Sequence, residues 1–156
     1  EERLGRPAKE GELEPLTLAL AETGRSLTAM DHLATLEMIH GFGRRMAAWW
    51  EGGFNLLVTP SQAQPPPRLG WVTSTPDEPM RAFQRAAPYG VFTLPYNLSG
   101  QPAISLPLHV TAGAEPGLPV GSQLVAAYGR EDLLLQVAAQ IEAEVPFSEN
   151  RAPGVD

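Results

Sequence analysis

Cysteine is absent from this 156-residue chain, which excludes disulfides and thiolate metal sites but does not by itself define a compartment. Lysine is nearly absent: Lys9 is the only one, and the other ten basic residues are arginines scattered along the sequence. With a formal net charge of −7 and an isoelectric point near 4.9, the chain lacks the clustered basic residues of a nucleic-acid footprint. No apolar run approaches the roughly 18 residues of a membrane span. No basic-then-apolar leader opens the sequence either. The expectation is therefore a cytoplasmic protein that engages neither membrane nor nucleic acid. Proline, in contrast, is plentiful. Its 16 residues are about twice the usual share and fall mainly between Pro60 and Pro119, where they favour extended segments and loops. A hydrophobic content of 43% is ordinary for one globular domain.

Three stretches succeed one another. Residues 1–11 are polar and read as a loose flank, with Lys9 as a solvated charge. A helical region follows from Glu14 to Trp50, with a break expected around Gly24. Its second half opens on "SLTAMD", where Ser26 or Thr28 can cap and Asp31 stands three residues after Thr28, as a capping box requires. Leu33, Leu36, Ile39, Phe42, Met46 and Trp49 then recur every three or four residues and make one apolar face. Gly41 and Gly43 inside that helix cost about 1 kcal/mol each against alanine, which predicts close packing or a kink. His40, directly before Gly41, reads as a core or boundary residue rather than a catalytic one. Trp49 and Trp50 are adjacent and cannot both face inward.

Beyond the helices, "FNLLVTP" (Phe54–Pro60) reads as a buried strand. "SQAQPPPRLG" reads as an extended loop, with a polyproline-type ligand around Pro65–Leu69 as the alternative. Residues 79–87 suggest a short helix. "AISLPL" (Ala103–Leu108) and "PVGSQLVAA" (Pro119–Ala127) are strand candidates. A final helix begins after Gly129, with Glu131 and Asp132 at its positive end and Leu134, Val137, Ala138 and Ile141 on its inner face. The class is α/β. The strands are apolar throughout, so the sheet is expected to be covered on both faces. The two or three helices present are too few for that, and the chain, which opens on Glu1, reads as part of a larger layered structure.

Chemistry is sparse. Serine nucleophiles need a base within reach and an oxyanion hole, yet there is no G-x-S-x-G elbow. His32, His40 and His109 fall on unlike elements without metal-pair spacing. Glu131 and Asp132 are neighbours at a helix start and serve its dipole. The glycines of "GAEPGLPVG" open no helix and make no phosphate cradle. "NLS" at Asn97 matches a glycosylation sequon, a pattern common by chance. The residues alone assign no catalytic constellation, metal or cofactor.

Four segments in order carry a resemblance. "GRSLTAMDHLATLEMIHGFGRRMAAWW", "FNLLVTPSQAQPPPRLG", "FTLPYNLSGQPAISLPL" and "GLPVGSQLVAAYGREDLLLQVAAQIE" together resemble the C-terminal third of the amidase signature family, across residues 14–153. The whole chain then reads as the C-terminal portion of a single amidase domain, with residues 1–11 as a flexible flank. The resemblance implies a mixed central sheet flanked by helices. It also implies amide hydrolysis through an acyl-enzyme on a Ser–cis-Ser–Lys triad. The family's catalytic lysine and its Gly/Ser-rich signature precede the part resembled here, so no catalytic residue is assigned to this chain. Lys9, Ser99 and Ser105 match no triad position.

The resemblance does imply one pocket wall. Family members set the segment before the N-x-x-G-x-P-A motif against substrate, which here is Gly90–Tyr96, "GVFTLPY". Thr93, the threonine of the T-x-x-x-N pattern, is the expected contact, with Phe92 and Tyr96 beside it and a strand-end packing role for Thr93 as the alternative. Glutamine-using amidotransferase subunits carry an aspartate three residues before that threonine, where this sequence has Gly90. That departure implies a stand-alone amidase for an apolar or aryl amide. The implied partners are a small-molecule amide and the N-terminal region of the same enzyme, with no cofactor and a homodimer left open. The other readings are a non-catalytic scaffold module and one subunit of a tRNA-dependent amidotransferase.

Overall fold

The computed structural model describes residues 5–9, 11–112 and 117–146. Part of the polar flank, Gly113 of the glycine-rich stretch and the end of the resembling segment lie outside them. The order is α1 (Pro15–Ser26), α2 (Ala29–Trp50), β1 (Leu57–Pro60), α3 (Arg81–Ala86), a 3₁₀ turn at Ala87–Gly90, α4 (Leu94–Ser99), β2 (Ala103–Val110), β3 (Pro119–Val125) and α5 (Glu131–Glu144). The chain forms two compact units, one of residues 1–35 and 66–88, the other of residues 36–65 and 89–156.

In the first unit, α1 runs through Gly24, so the helical break falls at Leu27–Thr28 and not at the glycine. The cause is a reciprocal cap. Thr28 Oγ accepts from the Asp31 N–H at 3.2 Å, while an Asp31 carboxylate oxygen accepts from the Thr28 N–H at 2.8 Å and hydroxyl at 2.6 Å. These bonds satisfy donors that a helix start otherwise leaves free. Further along, the Arg81 guanidinium donates to Thr73 O and that of Arg85 to Trp71 O. These two bonds tie the 71–80 loop to α3.

The second unit holds the sheet. Its strand order is β1-β3-β2, and both pairings are antiparallel. Leu57, Val125 and Ala103 form one cross-strand row, and Thr59, Gln123 and Ser105 the next row on the same face. The ladder is irregular between Leu106 and His109, around Pro107, which has no N–H to donate.

One face of this sheet carries Ile104, Leu106 and Leu124, packed with Leu56, Leu108 and Ala126 against Leu134, Val137, Ala138 and Ile141 of α5. That is the helix face read from the sequence. On the other face Val125 and Leu57 meet Met46 and Trp50 of α2 and Tyr96 of α4. This cover stops short, because Ala103 and Ser105 on the same face remain exposed. The expected shortage of helices is thus visible in the sheet itself.

Several local expectations need correction. β1 begins at Leu57 rather than Phe54. Gly53 adopts φ +88°, a conformation side chains resist, and the turn returns Phe54 to stack on Trp49 with ring centroids 4.4 Å apart. The tryptophans do divide, but against the apolar face read for α2: Trp50 is buried, whereas Trp49 is exposed. The Trp50 indole N–H finds no hydrogen-bond partner among the described residues. Gly43 allows close approach, since a Cβ there would lie 3.9 Å from the Ser99 backbone. His40 is exposed on α2, not a core or boundary residue.

Candidate functional site

The segment Gly90–Tyr96 is a turn leading into a helix rather than the end of a strand. Gly90 closes the 3₁₀ turn, and Thr93 immediately precedes α4. Pro95 lies in the first turn of α4, where its fixed φ suits a helix and its missing N–H is not needed. Gly100, at φ 74°, ends the helix and donates its N–H to Tyr96 O at 2.9 Å, as a left-handed cap does. Asn97 and Ser99 are therefore helical.

Thr93 is held locally. Its N–H donates to Gly90 O at 3.1 Å and its hydroxyl to the same oxygen at 3.2 Å. Its carbonyl accepts from the N–H groups of Tyr96 and Asn97, each at 3.2 Å. With its proton committed to Gly90 O, the half-buried hydroxyl presents lone pairs and acts as an acceptor. Phe92 is half-buried beside it. Tyr96 points into the core with Trp50 and Val125, and burial pushes its phenol pKa up, so the ring stays neutral. Gly90 leaves room, since a Cβ there would lie 3.7 Å from the Thr93 hydroxyl.

Sequence reading missed the buried amides. Gln123, on β3, donates from Nε2 to Phe92 O at 2.8 Å and to Thr59 Oγ1 at 3.0 Å. Gln101 is buried and accepts from the Ser99 hydroxyl at 3.1 Å. The available signal was a glutamine inside the apolar run "VGSQLVAA", since a buried amide must be satisfied. Beside Gln123, the Ser61 and Ser105 hydroxyls meet at 2.5 Å over Gly121. A serine pair alone is not a nucleophile, because activation needs a base. Among the described residues no group of three His, Asp or Glu could hold a metal ion. No helix there is long and apolar enough to cross a membrane. A groove in the first unit, lined by Leu13, Pro15, Leu18 and Pro79, contains none of the candidate residues.

The model of the Amidase family matches residues 1–135. The chain belongs to that family. This amidase chain is 36% identical over 155 residues to the 6-aminohexanoate-cyclic-dimer hydrolase of Paenarthrobacter ureafaciens, covering 96% of the chain and 31% of that enzyme. It is likewise 36% identical over 153 residues to the putative amidase AmiC of Mycobacterium tuberculosis, covering 97% of the chain and 30% of the relative. The solved structure of 6-aminohexanoate cyclic dimer hydrolase superposes with a TM-score of 0.83 at 33% identity, over 98% of this chain and 32% of that one. The amidase chain thus spans about a third of the length of the curated relatives it matches, and its mixed α/β architecture is part of the amidase fold.

Proposed function

We propose that this chain is the C-terminal part of an amide hydrolase and supplies one wall of its substrate pocket. The Ser–cis-Ser–Lys triad that the family resemblance implies is furnished by preceding polypeptide. There a serine attacks the amide carbonyl while a neutral lysine, acting through the bridging serine, takes the proton. The C–N bond breaks, the amine leaves with a proton, and water releases the acyl group as carboxylate. No cofactor enters this scheme. The enzyme works in the cytoplasm on a small-molecule amide.

The observation that carries the proposal is identity sustained along nearly the whole chain with a cyclic-dimer hydrolase. Thr93 and Phe92 supply the wall: a hydroxyl oriented to accept an N–H and an apolar ring. Gly90 leaves that wall uncharged, which suits an amide whose amine side is apolar or aryl.

A second reading has an observation of its own. A stretch of 62 residues is 42% identical to a glutamyl-tRNA(Gln) amidotransferase subunit of Clostridium botulinum, covering 40% of the chain and 12% of that relative. Gly90 argues against it, because the carboxylate that holds an amino-acid amine is missing. Assaying the full polypeptide encoded with this chain on simple amides, anilides, lactams and glutamine separates the two. Hydrolysis of amides and anilides without partner subunits supports the hydrolase. Activity confined to glutamine with partner subunits supports the amidotransferase.

A further inference from the structure

The middle strand carries a primary amide, Gln123, in a polar cross-strand row between Thr59 and Ser105. Gln123 is 5% exposed, adjacent in β3 to buried Leu124. Burying such a group is costly unless its donors are satisfied. Here both N–H bonds are used, on Phe92 O and Thr59 Oγ1. A carbonyl oxygen only accepts, so the nitrogen end of the amide must face Phe92. The bond joins positions 31 residues apart. The bonds that Thr93 itself makes run locally to Gly90, whereas the Gln123 bond fastens the segment to the sheet.

The consequence is geometric. The Phe92 carbonyl and the Thr93 N–H belong to one planar peptide unit. Anchoring that oxygen to the central strand fixes the plane from which the Thr93 side chain departs. Thr59, which accepts the second N–H of the same nitrogen, lies in the same cross-strand row and holds the donor in place. We infer that Gln123 is a positioning residue, which sets the pose of the Phe92–Thr93 wall and through it the substrates the pocket accepts. The inference rests on the amidase reading above and adds a specificity determinant to it.

The test uses the full polypeptide encoded with this chain and compares parent, Gln123→Met, Gln123→Glu and Leu134→Ala on an anilide and on acetamide. Met keeps the length and removes the donors. Glu keeps the shape and turns a carboxylate toward the Phe92 oxygen. Leu134→Ala weakens the opposite, α5-covered face and serves as the stability control. The expected result is a fall in anilide kcat/KM of about tenfold in both Gln123 variants, mostly through KM, consistent with loss of a buried hydrogen bond. Acetamide should change less than about twofold, so the ratio between substrates shifts. In Gln123→Glu, amide hydrogen exchange should rise across residues 90–96 while α5 stays protected, and this readout holds even where Met at position 123 prevents folding. Gln123 variants that lose stability like Leu134→Ala, with the substrate ratio and the exchange of residues 90–96 unchanged, overturn the inference. An inert parent overturns the amidase reading and this inference with it, and is seen before any variant is compared.

Discussion

At the scale of single residues, Thr93 and Gly121 carry the sharpest consequences. The Thr93 hydroxyl donates to Gly90 O, which leaves its oxygen to act as an acceptor. Thr93→Val keeps the shape and removes the acceptor. In the full enzyme it should raise KM by about tenfold with kcat changed less, and Thr93→Ser should restore most of the loss. Equal kinetics for Val and Thr would remove Thr93 from the pocket. Gly121 is required for space. A Cβ there would lie 2.5 Å from Ser61 Oγ, 2.6 Å from Ser105 Oγ and 2.9 Å from Ser61 Cβ. Gly121→Ala should therefore destabilise the protein by about 1–3 kcal/mol in denaturant titration. Ser61→Gly in that background should recover more than Ser105→Ala, because Ser61 contributes two of the three close atoms. These residues also mark what the sequence could tell. Thr93 was singled out only through the motif around it, and the kinetics of Thr93→Val test that assignment. Gln123 offered only a weak local signal, a glutamine inside an apolar run, because the groups that satisfy it, Thr59 and Phe92, lie far from it in the chain.

At the scale of elements, the start of α2 was legible because its determinant is local. Thr28 and Asp31 stand three residues apart and make the expected capping box. The inner face of α5 was legible for a similar reason, since helical periodicity alone selects Leu134, Val137, Ala138 and Ile141. The antiparallel order β1-β3-β2 was not legible. The strand segments lack a regular apolar–polar alternation from which to read pairing, and β1 meets β3 only after intervening helices and β2. α4 also escaped notice, because six residues are too few for a period and its ends depend on Pro95 and Gly100.

The cap makes a pH-dependent prediction. Hydrogen bonds from the Thr28 hydroxyl and N–H hold the Asp31 carboxyl below its ordinary range. A depressed folded pKa means that the stabilisation is present above the unfolded carboxylate pKa, near 3.9, and is lost as pH falls through the folded value. Thr28→Ala should cost about 1 kcal/mol at neutral pH. The difference between parent and variant should shrink below about pH 4. A difference independent of pH would show that Asp31 takes no part in the cap.

At the scale of the whole molecule, the dominant feature is uncovered apolar surface. On α2 Leu33 is 64% exposed and Met30 79% exposed, while Trp49, Phe54 and Leu69 are also exposed. α1 buries no residue fully. Large apolar side chains left exposed in each unit suit surfaces that meet other protein, and a chain covering about a third of its relatives supplies a reason for them. Expressed alone, the 156 residues should bind a hydrophobic dye, self-associate and unfold without a sharp transition. A monomeric chain with a cooperative melt would contradict that account of the exposed faces.

Amide hydrolysis decides whether the proposed Phe92–Thr93 wall belongs to an amide hydrolase. The full polypeptide encoded with the chain, purified without partner subunits, should release amine from simple amides and anilides, while the 156 residues alone release none. A folded full polypeptide that leaves every amide, anilide and lactam of a broad panel intact would contradict the claim.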